Sequence, residues 1–159
     1  MYRIGFSEDI HPVKEGRKLF LAGLEVPSEF GLDGHSDADV VLHAVTEAIL
    51  GALALGDLGD HFPDNDPKYK GIESKLLLKE ALRLMKEEGY EIGNVDVQLA
   101  MAKPRLGELK NKMRENLALL LDTSLKNVSL KAMTFNHIGP LGEGKAIKAS
   151  AIVLLTKTK

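Results

Sequence analysis

The chain contains no cysteine and no tryptophan. Without thiols, disulfides and thiolate metal sites are both excluded, so any metal must be held by imidazole and carboxylate. The same lack suits a reducing compartment. A dominant charge is missing too: 21 Lys and Arg stand against 23 Asp and Glu, a net −2. No overall field therefore recruits nucleic acid or an anionic membrane, and Lys75, Lys79, Arg83, Lys110 and Lys112 are scattered as on solvated helix faces. No apolar run reaches the ~20 residues that a membrane span needs. The opening Met1-Tyr2-Arg3-Ile4-Gly5 lacks the basic-then-apolar pattern of a signal peptide. These absences predict a cytoplasmic protein with no nucleic-acid or membrane partner. No linker, repeat or low-complexity tract divides the 159 residues, which read as one domain, 1–159.

What is present is alternating and helical patterning. Arg3–His11 and Lys18–Ala22 read as strands with a turn near Glu15-Gly16, and Pro27 to Gly34 as loop. A helix is predicted over Asp37–Leu55, with Ser36 and Asp39 in an S-x-x-D capping arrangement. Val41, Val45, Ala48, Ala52 and Leu55 form its apolar stripe, which Leu42, Ile49 and Leu50 widen. Only Asp39, His43 and Glu47 make a polar line, so this helix must be buried on several sides and those three side chains need partners. Further helices are expected at Ser74–Glu88, ended by Gly89, and at Glu108–Leu121. Val95–Ala102, Val128–Thr134 and Ala146–Thr156 read as strands. That alternation predicts an α/β sandwich with helices on one sheet face.

Few residues carry chemistry. Asp9 and His11 share one side of an extended strand, because side chains alternate with period two. Two ligands can reach a metal from such a segment, although D-x-H alone is a weak signal that fits a surface pair better. His43 lies on the one polar line of its helix, between carboxylates able to orient its ring. Two histidines, one aspartate and an open position make a tetrahedral catalytic zinc site. The loop Gly31 to Asp37 leads into a helix N-terminus, where free amides and the dipole favour anions. It reads either as a phosphate contact with His35 beside it or as a capped helix behind a glycine turn. The loop Gly139 to Gly144 lacks phosphate-loop spacing, and His61 and His137 read as structural or exposed.

Taken together, His35-Ser36-Asp37-Ala38-Asp39 with Leu42-His43-Ala44 resembles the 2-C-methyl-D-erythritol 2,4-cyclodiphosphate synthase family. So do Asp9-Ile10-His11, Ala54 to Gly59 with Phe62 to Pro67, Gly89-Tyr90 with Gly93 to Asp96, and Gly142-Glu143-Gly144. The set keeps the family's order from Ile4 almost to the C-terminus. The resemblance implies an α+β subunit, a mixed four-stranded sheet with helices packed on one face, and a homotrimer whose sheets face the three-fold axis, with active sites at subunit boundaries. It implies a lyase of non-mevalonate isoprenoid biosynthesis, acting on a cytidine diphosphate-linked substrate and releasing CMP.

By the same resemblance Asp9, His11 and His43 are the Zn²⁺ ligands. His35 and Ser36 lie in the loop that contacts the erythritol phosphate part, Asp57 and Gly59 contact the methylerythritol portion, and Asp64 lies in the same wall. Ala102, Pro104, Arg105, Leu106, Ala132 and Met133 line the cytosine pocket, with Thr134 reaching a phosphate; His35 and Thr134 are the catalytic candidates. The sequence departs from the family at Asn136, where a glutamate holds a second cation, Mg²⁺ or Mn²⁺. It departs again at residues 138–142, which are shorter and lack an arginine, and at Glu8, which replaces an apolar residue. A zinc phosphohydrolase and a non-catalytic trimeric binding protein are the alternatives to a cyclising synthase.

Overall fold

The computed structural model describes residues 1–159. Its frame is a long strand, β1 (Tyr2–Glu15), followed by β2 (Leu19–Leu21), β3 (Leu24–Val26) and β4 (Phe30–Leu32). Helices α1 (Val40–Ala52), α2 (Leu58–His61) and α3 (Ser74–Glu87) lead to β5 (Tyr90–Ala100). Then come α4 (Leu109–Leu120), β6 (Val128–Met133), the one-turn α5 (Gly139–Gly142) and β7 (Ala146–Lys157). The main sheet runs β4-β1-β7-β5-β6, with β5 and β6 parallel and the other pairs antiparallel.

The sheet is thus mixed, as expected, but five-stranded where four were expected. The fifth strand, β4, falls in the stretch read as loop from Pro27 to Gly34. It forms because β1 runs on past His11 as far as the turn at Glu15-Gly16, and offers Val13 to Glu15 as an edge for Leu32 to Phe30. Gly31 lets the chain just before β2 pass close to β4, since a Cβ there would collide with the Lys18 carbonyl. Ala22, read as strand, instead shares a two-residue turn with Gly23 between β2 and β3. Both have positive φ, as a hairpin with right-handed twist requires.

Helix α1 is buried nearly all round, as its composition demands: Val40, Val41, Leu42, Ala44, Val45, Ala48, Ile49 and Leu50 are almost inaccessible. It lies against β1 so closely that a Cβ on Gly5 would fall on the Ala48 carbonyl. Helix α3 buries Leu77, Leu78, Ala81, Leu82 and Met85 and turns Lys79 and Arg83 outward. Gly89 follows it at φ +74°, the left-handed position that ends helices. Helix α4 buries Met113, Leu117 and Ala118.

All these helices cover one sheet face. On the other, Tyr2, Ile4, Phe6 and Ile10 of β1 and Ile152 of β7 are exposed. Glu8 interrupts this apolar row, bonded to Lys148 at 3.1 Å and Ser150 at 2.8 Å. Those two partners hold its carboxyl below the usual range. No helix is long and apolar enough to cross a membrane.

Candidate metal centre and adjoining cavities

The middle of β1 and the first turn of α1 meet at one point. Asp9 Oδ2 lies 3.0 Å from His11 Nε2 and 3.0 Å from His43 Nδ1. One ligand atom from each residue lies within 4.8 Å of the others, so the three could hold one metal ion. Their side chains are only 24%, 20% and 11% exposed, respectively. Burial alone would raise the Asp9 carboxyl, but the hydrogen bonds from His11 and His43 outweigh it and hold it well below the usual range. His11 moves up, chiefly through its bond to Asp9 and against its own burial.

The donor set fits a cation of the zinc type: two imidazoles and a carboxylate converge and leave a side open to a cavity. The His11 ring is oriented for this role. Its Nδ1 donates to the Asp33 carbonyl at 2.6 Å, which leaves Nε2 free to face Asp9. His43 is oriented differently from expectation, because Asp39 and Glu47 do not touch its ring. Glu47 accepts from Ser7 Oγ and from the Leu58 amide. The His43 Nε2 instead faces Ser74 Oγ at 2.7 Å and Ser36 Oγ at 3.1 Å. Ser74, the first residue of α3, went unnoticed in the sequence. Its one signal there, a small polar residue opening an amphipathic helix, says nothing about which helix it will touch.

Asp39 is the N-cap, not a partner of Ser36 in a capping box. Its Oδ1 accepts from the amides of Val41 and Leu42 and also from Ala22, while Oδ2 accepts from Gly23. Ser36 and Asp37 take the amides of Ala38 and Asp39. The α1 N-terminus is therefore filled by its own carboxylate, and no row of free amides is left there for a phosphate. Arg17 braces the loop before it, donating to the carbonyls of Gly34 at 2.9 Å and Ser36 at 2.8 Å.

A cavity of about 670 Å³ opens beside the triad, lined by His11, His35, Ser36, His43, Gly59 and Asp64 among others. His35 is exposed at its edge. Asp57 does not line it; its side chain caps α2 through reciprocal bonds with Asp60. A second cavity, about 290 Å³, collects Ala102, Pro104, Arg105, Leu106, Ala132, Met133 and Thr134, with Met101, Gly107 and Lys110 as unexpected neighbours. The two cavities share no lining residue. Sheet register puts Asp9, Ala149, Leu99 and Ala132 in one row across β1, β7, β5 and β6. Three strand spacings, roughly 14 Å, separate the ends of that row. After Thr134 the chain turns left-handed through Phe135, Asn136 and His137, all with positive φ.

Fold and site together define an α+β protein with a carboxylate–imidazole centre suited to a divalent cation, beside a cavity of small-molecule size. The model of the YgbB family matches residues 2–156. The chain is 51% identical over 157 residues to the 2-C-methyl-D-erythritol 2,4-cyclodiphosphate synthase of Brachyspira hyodysenteriae, covering 99% of each chain. It is 51% identical over 155 residues to that of Chloroherpeton thalassium, covering 98% of this chain and 99% of the other. A solved synthase structure described as the bound form with CDP superposes with a TM-score of 0.88 at 36% identity, over 97% of this chain and 100% of that one. The chain belongs to the YgbB family, that of the 2-C-methyl-D-erythritol 2,4-cyclodiphosphate synthases.

Proposed function

We propose that this chain is a divalent-metal-dependent lyase of non-mevalonate isoprenoid synthesis. It converts 4-diphosphocytidyl-2-C-methyl-D-erythritol 2-phosphate into 2-C-methyl-D-erythritol 2,4-cyclodiphosphate and CMP. The observation that carries the reading is the end-to-end match to synthases in a chain whose Asp9, His11 and His43 converge on one point. In the reaction an oxygen of the substrate's 2-phosphate forms a bond to the β-phosphorus. The bond from that phosphorus to the bridging oxygen breaks, and the oxygen leaves with CMP. The nucleophile is already anionic and the leaving group already competent, so neither a Ser-His pair nor a strong general acid is needed.

Asp9, His11 and His43 would hold Zn²⁺, which when bound neutralises charge at the attacked phosphate. The remaining task is to bend a flexible diol diphosphate so that its ends meet, which is a matter of orientation. His35 and Ser36 flank the phosphate end, while Gly59 and Asp64 form the wall for the erythritol carbons and Asp57 braces it as the cap of α2. Ala102, Pro104, Arg105, Leu106, Ala132 and Met133 take the cytosine, with Thr134 at a phosphate. Asn136 would hold a second cation, Mg²⁺ or Mn²⁺, which would neutralise charge on the diphosphate.

The two cavities stand at opposite ends of the sheet row, with buried Ala149 and Leu99 between them. A substrate that needs both is best served by two copies, one giving the metal centre and the other the cytosine pocket. The exposed apolar face of β1 and β7 supports this, since three such faces turned to a common axis cover one another as a homotrimer. We place the single-domain enzyme in the cytoplasm. Incubation with the cytidyl substrate should release CMP in the wild type and almost none in His43→Ala. Absence of CMP from the metal-loaded wild type would refute the reading.

A further inference from the structure

We propose that Ser74 and Asp37 are positioning residues for His43, locking its ring so that Nδ1 presents a bare lone pair to the metal. The proposal rests on Asp9, His11 and His43 forming the metal site, and it concerns how one of them is aimed.

The argument is a count of protons. Both oxygens of the Asp37 carboxylate are committed to donors: the Ser74 amide at 3.0 Å, the Asp39 amide at 3.2 Å and the Ser74 hydroxyl. A serine hydroxyl has one proton, and here it goes to Asp37. What Ser74 Oγ shows to His43 Nε2, 2.7 Å away, is therefore a lone pair. The approach is favourable only if Nε2 carries the hydrogen. Nδ1, which donates to Asp9 while no cation is bound, is therefore the nitrogen that gives up its proton when one binds, and the neutral ring ligates through it. Ser36 Oγ, at 3.1 Å from Nε2, already accepts from the Ala38 amide and serves as a second acceptor for the same proton.

Burial makes Ser74 the controlling partner. It is fully inaccessible, so no water can replace its hydroxyl, whereas Ser36 lies at the cavity edge. The arrangement also ties the cavity wall to the metal ligand. Ser74 directly follows the segment that supplies Phe62, Asp64, Pro67 and Tyr69 to the cavity. That segment is bonded to the His35 carbonyl through the Gly71 amide at 2.9 Å. One serine thus anchors the wall and aims the ligand. Outer partners that orient a metal-binding histidine contribute about 10- to 100-fold to metal affinity.

The test is zinc affinity by chelator competition on the full-length protein, with the fold checked by circular dichroism. Ser74→Ala should bind Zn²⁺ about 10- to 100-fold more weakly than wild type, and Ser74→Thr, which keeps the hydroxyl, should recover most of the loss. Thr46→Val is the control. It deletes another buried hydroxyl of α1, one that serves only the Leu42 carbonyl, and should leave affinity unchanged. Nitrogen-15 histidine spectra of the zinc-loaded wild type should show a His43 Nε2 proton in slow exchange with solvent. This reading holds even if Ser74→Ala fails to fold. Equal zinc affinity in wild type and Ser74→Ala, or a fast-exchanging Nε2 proton in wild type, would overturn the proposal. Failure of the wild type to bind zinc would instead overturn the metal-site reading itself.

Discussion

Replacing Asp39 should destabilise the chain far more than loss of an ordinary helix cap. A cap substitution costs about 1 kcal/mol, which covers the Val41 and Leu42 amides. Here the same carboxylate also accepts from Ala22 at 3.0 Å and Gly23 at 2.7 Å, the two turn residues joining β2 to β3. Each buried donor left without a partner adds about 1–3 kcal/mol. Removing a buried carboxylate returns some of this, so Asp39→Ala should lose about 3–5 kcal/mol. Asp39→Asn separates the parts. Oδ1 takes three of the amides and Oδ2 only that of Gly23. The amide variant thus keeps the larger set and opposes one donor to another, costing about 1–2 kcal/mol. Urea unfolding followed by far-ultraviolet circular dichroism at fixed protein concentration measures both, the fixed concentration being needed because assembly contributes to apparent stability. An Asp39→Ala loss no greater than about 1 kcal/mol, or an Asn variant as damaged as the Ala variant, would refute this account of how the hairpin and α1 are joined.

The remaining expectations follow from the site. His43→Ala should lose most bound zinc with the fold intact, since it deletes one of three protein ligands; full occupancy by metal analysis of the purified variant would make His43 a core histidine. Sedimentation at micromolar concentration should show a trimer, and a stable, active monomer would refute the shared site. Asn136→Glu should lower the Mg²⁺ concentration for half-maximal CMP release, because a carboxylate adds charge at a hard-cation site. The left-handed backbone there (φ 54°) suits asparagine better than glutamate, so the variant should also lose about 1 kcal/mol of stability. Unchanged or worse metal dependence would mean that Asn136 is no ligand.

Legibility from the sequence differed with the range of the interaction. The near-continuous apolar surface of α1 announced its burial, and its polar line announced that Asp39, His43 and Glu47 would find partners. The identity of those partners was hidden, because each lies on another element: the β2–β3 turn for Asp39, β1 and α3 for His43, Ser7 and the α2 start for Glu47. Period-two spacing put Asp9 and His11 on one side of β1, but only the packing of α1 on Gly5 brings His43 to them. β4 was missed for a similar reason. Three residues at Phe30 to Leu32 carry too little pattern of their own and are strand only because β1 continues past His11 to Glu15. Likewise, Arg17 is one of many surface cations in the sequence, and its grip on two loop carbonyls is a product of the fold.

The central claim is that this chain closes a ring and does not merely cut a diphosphate. Phosphorus-31 spectroscopy of the reaction with 4-diphosphocytidyl-2-C-methyl-D-erythritol 2-phosphate distinguishes the two outcomes directly. Cyclisation predicts CMP and a cyclic diphosphate in equal amounts, the latter showing two mutually coupled phosphorus signals, with both products lost when a chelator strips the metal. CMP accompanied by a linear product with two uncoupled monophosphates would contradict the claim and make the protein a phosphohydrolase.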